Sequence, residues 1–245
     1  QTLIVSDSGG KPLFYCFGNC DQQRVIDALR SRGLLGGKRH EYNAPVIAYR
    51  PPSESDLERR RKALALFDGA GGSKLCRRYL RGRGIELPIP DTLRFAREVW
   101  HRESKTTPDA IVALIEHADL GPIGAHATFL DFDGGAKGEI VPNKKIFGSC
   151  KGAAVHLGEW HHGDWLVVGE GIESTMSAME LSGHPGWAAL SAFGLRSLVL
   201  PNAICRVMIA ADNDANGVGQ RAAYDAADRF LTEGRRVKVV VPPES

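Results

Sequence analysis

The sequence has no apolar run approaching the ~18 residues of a membrane-spanning helix, so no membrane partner is expected. Its start shows no basic stretch followed by an apolar one, the pattern of a secretory leader. Its 5 cysteines are odd in number and scattered, which fits reduced thiols in a cytoplasmic setting rather than a disulfide framework. It also lacks a G-x-x-x-x-G-K-[ST] phosphate loop, which excludes a motor of the Walker type.

What is present is ordinary in amount and uneven in distribution. The chain has 245 residues, 43% apolar and 24% charged, enough for one or two soluble globular domains with a sizeable core. The net charge of +2 divides unevenly. Residues 1–110 carry 20 Lys and Arg against 13 Asp and Glu, whereas residues 111–245 carry 11 against 16. A basic front joined to an acidic back suits a protein that holds a polyanion while a metal acts on it; a merely solvated surface would give the same count.

Two stretches organise the acidic half. Leu166-Val-Val-Gly-Glu-Gly-Ile-Glu173 and Arg206-Val-Met-Ile-Ala-Ala-Asp-Asn-Asp-Ala-Asn-Gly217 are short apolar runs that stop at acid and glycine. Each is followed by a helical pattern, so each is expected to be a buried strand of a parallel sheet. Strand ends in such a sheet converge on one crevice, which would gather Glu170, Asp212 and Asp214. Gathered carboxylates repel one another unless a cation is present, and hard oxygen ligands suit Mg²⁺ or Mn²⁺. Asp212-Asn-Asp-Ala-Asn-Gly217 also matches the opening of a calcium loop, but Ala223 stands where the twelfth-position glutamate is required. A phosphatase with an aspartyl nucleophile would leave Glu170 and the basic front unexplained.

A strand ending in Glu-Gly and a later strand ending in Asp-x-Asp resemble the Toprim domain of bacterial-type primases, topoisomerases and some nucleases. The wording Val167-Val-Gly-Glu-Gly-Ile-Glu-Ser-Thr-Met176 is most similar to Toprim primases of phages, plasmids and other mobile elements, as is Tyr79-Leu-Arg-Gly-Arg-Gly84. The fold expected is α/β, with a C-terminal Toprim part (a Rossmann-like parallel sheet flanked by helices) packed on a smaller, mixed α+β N-terminal subdomain. The divisions expected are 1–37, a partial zinc-ribbon-like segment; 38–159, a basic α+β subdomain; and 160–245, the Toprim catalytic domain.

In chain order, Leu3–Val5, a turn at Asp7–Gly10, Pro12–Cys16 and a helix over Gln22–Arg32 open the sequence. Cys16-Phe-Gly-Asn-Cys20 is half of a four-ligand zinc site, or two free thiols. It resembles the second half of the zinc ribbon preceding primase catalytic domains, whose first ligand pair lies upstream of where this sequence starts. Residues 38–56 read as a proline-broken linker, followed by a basic helix from about Asp56 to Asp68 with Leu57, Ala63, Leu64 and Phe67 inward. Arg77, Arg78, Arg81 and Arg83 cluster at Tyr79, a combination that suits phosphate contact and base stacking, or else an ordinary surface helix end. Pro108–Ile115 and Ala125–Phe132 read as strands, with a hairpin turn at Asp133–Gly135.

Asn143-Lys-Lys-Ile-Phe-Gly-Ser-Cys-Lys-Gly152 is a basic stretch whose interleaved glycines let backbone approach a ligand closely, or else a flexible basic loop. The resemblance implies that its lysines, Lys144, Lys145 and Lys151, bind nucleotide phosphates or template. The adjacent His161 and His162 lack a spaced third ligand and read as a turn. Toward the end, Trp187–Leu190 and Arg236–Val241 read as strands and Gly219–Thr232 as a helix with four alanines and Phe230 inward.

The resemblance implies a DNA primase: Mg²⁺-dependent joining of NTPs on a single-stranded DNA template. Glu170, Asp212 and Asp214 would be catalytic and metal-binding. Gly169 and Gly171 would leave room for nucleotide, and Arg77, Arg78 and Arg81 would hold template. It further implies a replicative helicase as partner and Zn²⁺ at Cys16 and Cys20 if upstream ligands exist. A Toprim nuclease and a non-catalytic Toprim DNA-binding module are the alternatives.

Overall fold

Ser53 starts the first helix of the larger part of the chain for a local reason. Its Oγ accepts from the backbone N of Asp56 at 3.2 Å, and the Asp56 carboxylate accepts from the backbone N of Ser53 at 3.0 Å. Two backbone donors that a helix start leaves open are thereby satisfied. The computed structural model of the protein describes residues 3–8, 11–16, 22–31, 53–72, 74–131, 133–213 and 217–242. Cys20, Asp214, Asn216 and the expected linker up to residue 52 lie outside the described residues.

The described chain forms two compact units, Gln1–Pro51 and Pro52–Ser245. In the first, β1 (Leu3–Ser8) and β2 (Lys11–Cys16) pair as an antiparallel hairpin with Leu3 opposite Cys16, and α1 (Gln22–Ser31) follows.

The second unit runs α2 (Glu54–Asp68), α3 (Lys74–Gly82), β3 (Leu93–Ala96), β4 (Ala110–His117), β5 (Gly121–Phe129), β6 (Lys144–Gly148), β7 (Val155–His156), β8 (Leu166–Gly169), α4 (Ile172–Ser182), β9 (Gly186–Ala188), α5 (Ala192–Ser197), β10 (Arg206–Ala210), α6 (Val218–Thr232) and β11 (Arg236–Val240). It contains two sheets. One is antiparallel, in the order β3-β4-β5-β6. The other has the order β11-β10-β8-β9-β7 and is parallel except for β7. The backbones of Glu116 and Ala154 exchange two hydrogen bonds, of 2.9 and 3.0 Å, and join the sheets.

Alternation along the strands divides the core. In β8, Val167 packs with Ile172 and Met176 of α4, while Leu166 and Val168 pack with Leu195 of α5 and Ala222 of α6. The central strand is thus covered on both faces, which is why its sequence is an unbroken apolar run. In α6, Ala222, Ala223, Ala226, Ala227 and Phe230 all face inward, as their spacing predicts.

The antiparallel sheet is covered on one face by α2, through Ala63 and Phe67 packing with Val112, Ala125 and Phe129. The inward stripe of α2 is narrower than its sequence suggests, since Leu57 is 50% exposed. The other face contributes Ile111, Ala113 and Ile115 to a core shared with α3 and α4. Lys144–Gly148 is an edge strand, not a flexible loop: β6 pairs with β5, Lys145 standing opposite Ala127. Among the described residues, no helix is long and apolar enough to cross a membrane.

Candidate active site at the carboxyl edge of the parallel sheet

β8 and β10 are parallel neighbours with Gly169 opposite Ala210. The residue after Gly169 is Glu170, and the second after Ala210 is Asp212, so both acids leave the sheet at one edge. The chain goes from β8 to β9 on one side and then crosses back to β10 on the other. The crevice between β8 and β10 is therefore the topological switch point, where open α/β sheets take their ligands. Both acids are half-buried. Among the described residues, no three His, Cys, Asp or Glu side chains are grouped closely enough to hold a metal ion.

The glycines at this edge serve the protein's own packing. A Cβ at Gly169 would stand 2.5 Å from Thr175 Oγ1, and one at Gly171 would stand 2.9 Å from Ser174 Oγ. The expected room for nucleotide beside them is filled by the first turn of α4. Gly219 has a matching part in α6, where a Cβ would stand 2.8 Å from the Asp212 carbonyl oxygen. Asn213 is fixed as well: its side chain donates to Pro242 O (3.2 Å) and accepts from Gln220 (2.8 Å).

The third strand end of this edge is strained. Ala189 N donates to Gly169 O at 2.8 Å, and the next residue, Leu190, has φ of 70°. A leucine there is a true outlier, and such outliers gather at functional sites. Ser191 Oγ then accepts from Gly194 N at 2.9 Å and caps α5.

Lys144 and Lys145 do not act together, because neighbours on a strand face opposite ways. Lys145 Nζ binds both oxygens of Glu103, at 3.1 and 2.9 Å. Lys144 turns the other way, to Glu173. Lys151 is exposed on the following turn. On α3, Arg77, Arg78 and Arg81 face outward, and Arg81 pairs with Glu86 at 3.1 Å. Tyr79 does not join them. It is 2% exposed and packs in the core with Cys76, three positions before it, and Leu80, the next residue, so it offers no surface for base stacking.

The Tyr79 hydroxyl instead donates to Glu173 Oε1 at 2.6 Å. Lys137 Nζ lies 3.0 Å from the same oxygen, and Lys144 Nζ lies 3.4 Å from Oε2. Burial by itself would raise the Glu173 pKa, but the Lys144 charge, the Tyr79 hydroxyl bond and Lys137 together hold it at about 2. Burial, opposed by Glu173, lowers the Lys144 pKa. His126, buried on β5 near these groups, is pushed down to about 4 by burial first and by Lys144 second, and so stays neutral at pH 7. Sequence reasoning missed Glu173, Lys137 and His126 as members of one cluster. The available signal was the second acid of Glu170-Gly-Ile-Glu173, placed in the first turn of a helix.

A folded-state pKa below the ordinary 4.5 means that Glu173 contributes stability that is complete above pH 4.5 and is lost as the pH falls toward about 2. The urea midpoint of Glu173→Gln should therefore lie below that of the unmodified chain at pH 6, with the gap closing as the pH approaches 2. A gap that stays constant over that range would contradict the ionised network.

The chain matches two described families. Residues 57–157 match a domain of unknown function (DUF7146), and residues 165–245 match the family described as Toprim domain. The C-terminal part of the chain is a Toprim domain. Its boundaries enclose β8 to β11 and the whole acid-bearing edge. Among solved structures, a DNA primase domain from Pseudomonas aeruginosa is similar with a TM-score of 0.50 and 16% identity, covering 76% of this chain and 72% of that one. The zinc-binding and RNA polymerase domains of the Aquifex aeolicus primase give 0.49 and 15%, covering 91% of this chain and 61% of that one. At 16% identity the likeness to the Pseudomonas domain is one of fold alone. No curated protein matches the sequence.

Proposed function

We propose that the chain is a primase-type nucleotidyltransferase, joining ribonucleotides on a single-stranded DNA template with Mg²⁺ or Mn²⁺. The observation that carries this reading is the placement of Glu170 and Asp212 at the switch point of the Toprim sheet, on adjacent parallel strands. The donors at this edge are carboxylate oxygens, and the edge is open enough to leave both acids half-buried, which fits a hard cation that keeps positions for substrate oxygens. Asp212 and Asp214 would hold the ion, with Glu170 completing its shell. Bound there, it supplies polarisation of the α-phosphate and stabilisation of the leaving pyrophosphate.

The chain's own groups do the rest. Where it does not complete the metal shell, Glu170 takes the proton of the 3′-hydroxyl as general base. Lys144, the most open member of the Glu173 cluster, offsets triphosphate charge, and Lys151 meets the phosphates or template from the exposed turn. Arg77, Arg78 and Arg81, all on the outer face of α3, hold the template backbone. A replicative helicase would be its partner, and Zn²⁺ would bind at Cys16 and Cys20 if upstream ligands exist.

The test is oligoribonucleotide synthesis on single-stranded DNA with labelled NTPs and Mg²⁺, alongside Asp212→Ala. Metal-dependent products that vanish in the variant support the reading. Template cleavage that vanishes in the variant replaces it with a nuclease. DNA binding that survives loss of Glu170, Asp212 and Asp214, with no turnover in any chain, replaces it with a binding module.

A further inference from the structure

Glu173 sits three residues beyond Glu170, in the first turn of α4, and its partners come from outside the Toprim match. Tyr79 belongs to α3, Lys137 to the segment between β5 and β6, and Lys144 to β6. Exposure is graded across the cluster: 2% at Tyr79, 13% for the Glu173 side chain, 25% for Lys137 and 38% for Lys144. The network is therefore anchored at its tyrosine and open at its lysines. Oε1 is held twice, by Tyr79 and Lys137, whereas Oε2 is held by Lys144 at the longer 3.4 Å.

The charges do not balance. Two ammonium groups meet one carboxylate, Tyr79 is neutral because burial and Glu173 raise its pKa, and buried His126 is neutral too. One positive charge remains, at the open end. Stability alone does not account for such a cluster, since buried ion pairs can often be replaced by apolar residues at no cost, and a second lysine adds repulsion. An anion arriving at the open end relieves that repulsion.

We propose that Glu173 is a positioning residue: held by the Tyr79 hydroxyl, it orients Lys137 and Lys144 so that their surplus charge meets the triphosphate of the incoming nucleotide. The proposal rests on the primase reading of the adjacent acids. It gives Lys137, Tyr79 and Glu173 roles without substrate contact and makes Lys144 the group that meets the phosphate. Lys144, with the weaker hold on Glu173, turns to the phosphate, while Lys137 stays on Oε1.

The test measures ATP affinity by equilibrium dialysis with Mg²⁺, and KM and kcat for ATP in primer synthesis, in the full chain. Glu173→Gln should raise Kd and KM about tenfold and leave kcat within about threefold, because the lysines lose a charge-assisted partner. Glu173→Asp should fall between Glu173→Gln and the unmodified chain. Tyr79→Phe, which changes no charge and removes no buried carbon, should raise Kd about threefold. In a Lys144→Met background, Glu173→Gln should add little further loss, since the two act through one contact.

A charge effect alone has the opposite sign, because removing a carboxylate near the phosphates tightens anion binding. A folded Glu173→Gln that binds ATP as well as or better than the unmodified chain overturns the proposal. So does an unmodified chain that binds no ATP. If Glu173→Gln does not fold, Tyr79→Phe decides: unchanged Kd and KM overturn the proposal. ATP binding without primer synthesis would defeat the primase reading and leave the affinity comparison intact as the test of Glu173.

Discussion

Replacing Asp212 by asparagine should lower metal-dependent primer synthesis by about 10² to 10³-fold while leaving the fold in place. The substitution keeps the shape of a side chain at the sheet edge and removes only its charge. Asp212 contributes no apolar area to the core behind it, which includes Val207, Ile209 and Ala211. Without metal, the variant should unfold at the same temperature as the unmodified chain or slightly higher, because one of the mutually repelling carboxylates is gone. Adding Mg²⁺ should raise the unfolding temperature of the unmodified chain and not of the variant, since stabilisation by a ligand follows its affinity for the folded state. Glu170→Gln should lose activity on the same scale; a retained Mg²⁺ response marks a general base, and a lost one marks a member of the metal shell. Synthesis within tenfold of the unmodified chain in either variant would remove these acids from the chemistry.

The second large effect is on stability. Gly194→Ala should destabilise the larger unit by about 3 kcal/mol or more, read from urea unfolding with an unchanged slope. The added Cβ would stand 1.9 Å from the Ala189 carbonyl oxygen and 3.0 Å from its carbon. Both atoms are backbone, so no side chain can swing away. Either the turn from β9 into α5 opens or α5 moves, and α5 carries the fully buried Leu195. Function should suffer beyond the loss of folded protein, because Ala189 N donates to Gly169 O, immediately before Glu170. An alanine variant within 1 kcal/mol of the unmodified chain would mean that the turn is far softer than its geometry indicates.

Several parts of this molecule were legible in its sequence, and each for an identifiable reason. β8 and β10 hold apolar runs ended by glycine or acid, β11 alternates and is stopped by proline, and α6 repeats small apolar residues at helical spacing, so period and punctuation agree. β3, β7 and α5 span four, two and six residues, too few to display a period. β6 was hidden by its paired lysines: Lys-Lys at the head of a short edge strand has the composition of a loop. The acids at the switch point were readable because strand ends announce themselves. The Glu173 cluster was not, because its tyrosine lies 94 residues away in sequence and only the folded chain brings it near. Tyr79 was misread as a surface aromatic because arginines flank it. The i, i+3, i+4 spacing of Cys76, Tyr79 and Leu80 was the better guide.

The seam between the two matched families, at residues 157 and 165, separates lineages of sequence without separating bodies. Ile111, Ala113, Ile115, Tyr79 and Leu80 on one side of it share a core with Val167, Ile172, Met176 and Met179 on the other. A gene cut at that seam would release a fragment with one face of its sheet, at Val167, Ile172, Met176 and Met179, turned to water and without its edge strand β7. The Toprim part of this chain is in that sense a tenant of its neighbour: the sheet that positions the acids borrows its floor from residues that another family describes. Over evolutionary time the two halves are bound to change together, since a larger side chain on one bank of the shared core needs a smaller one on the other.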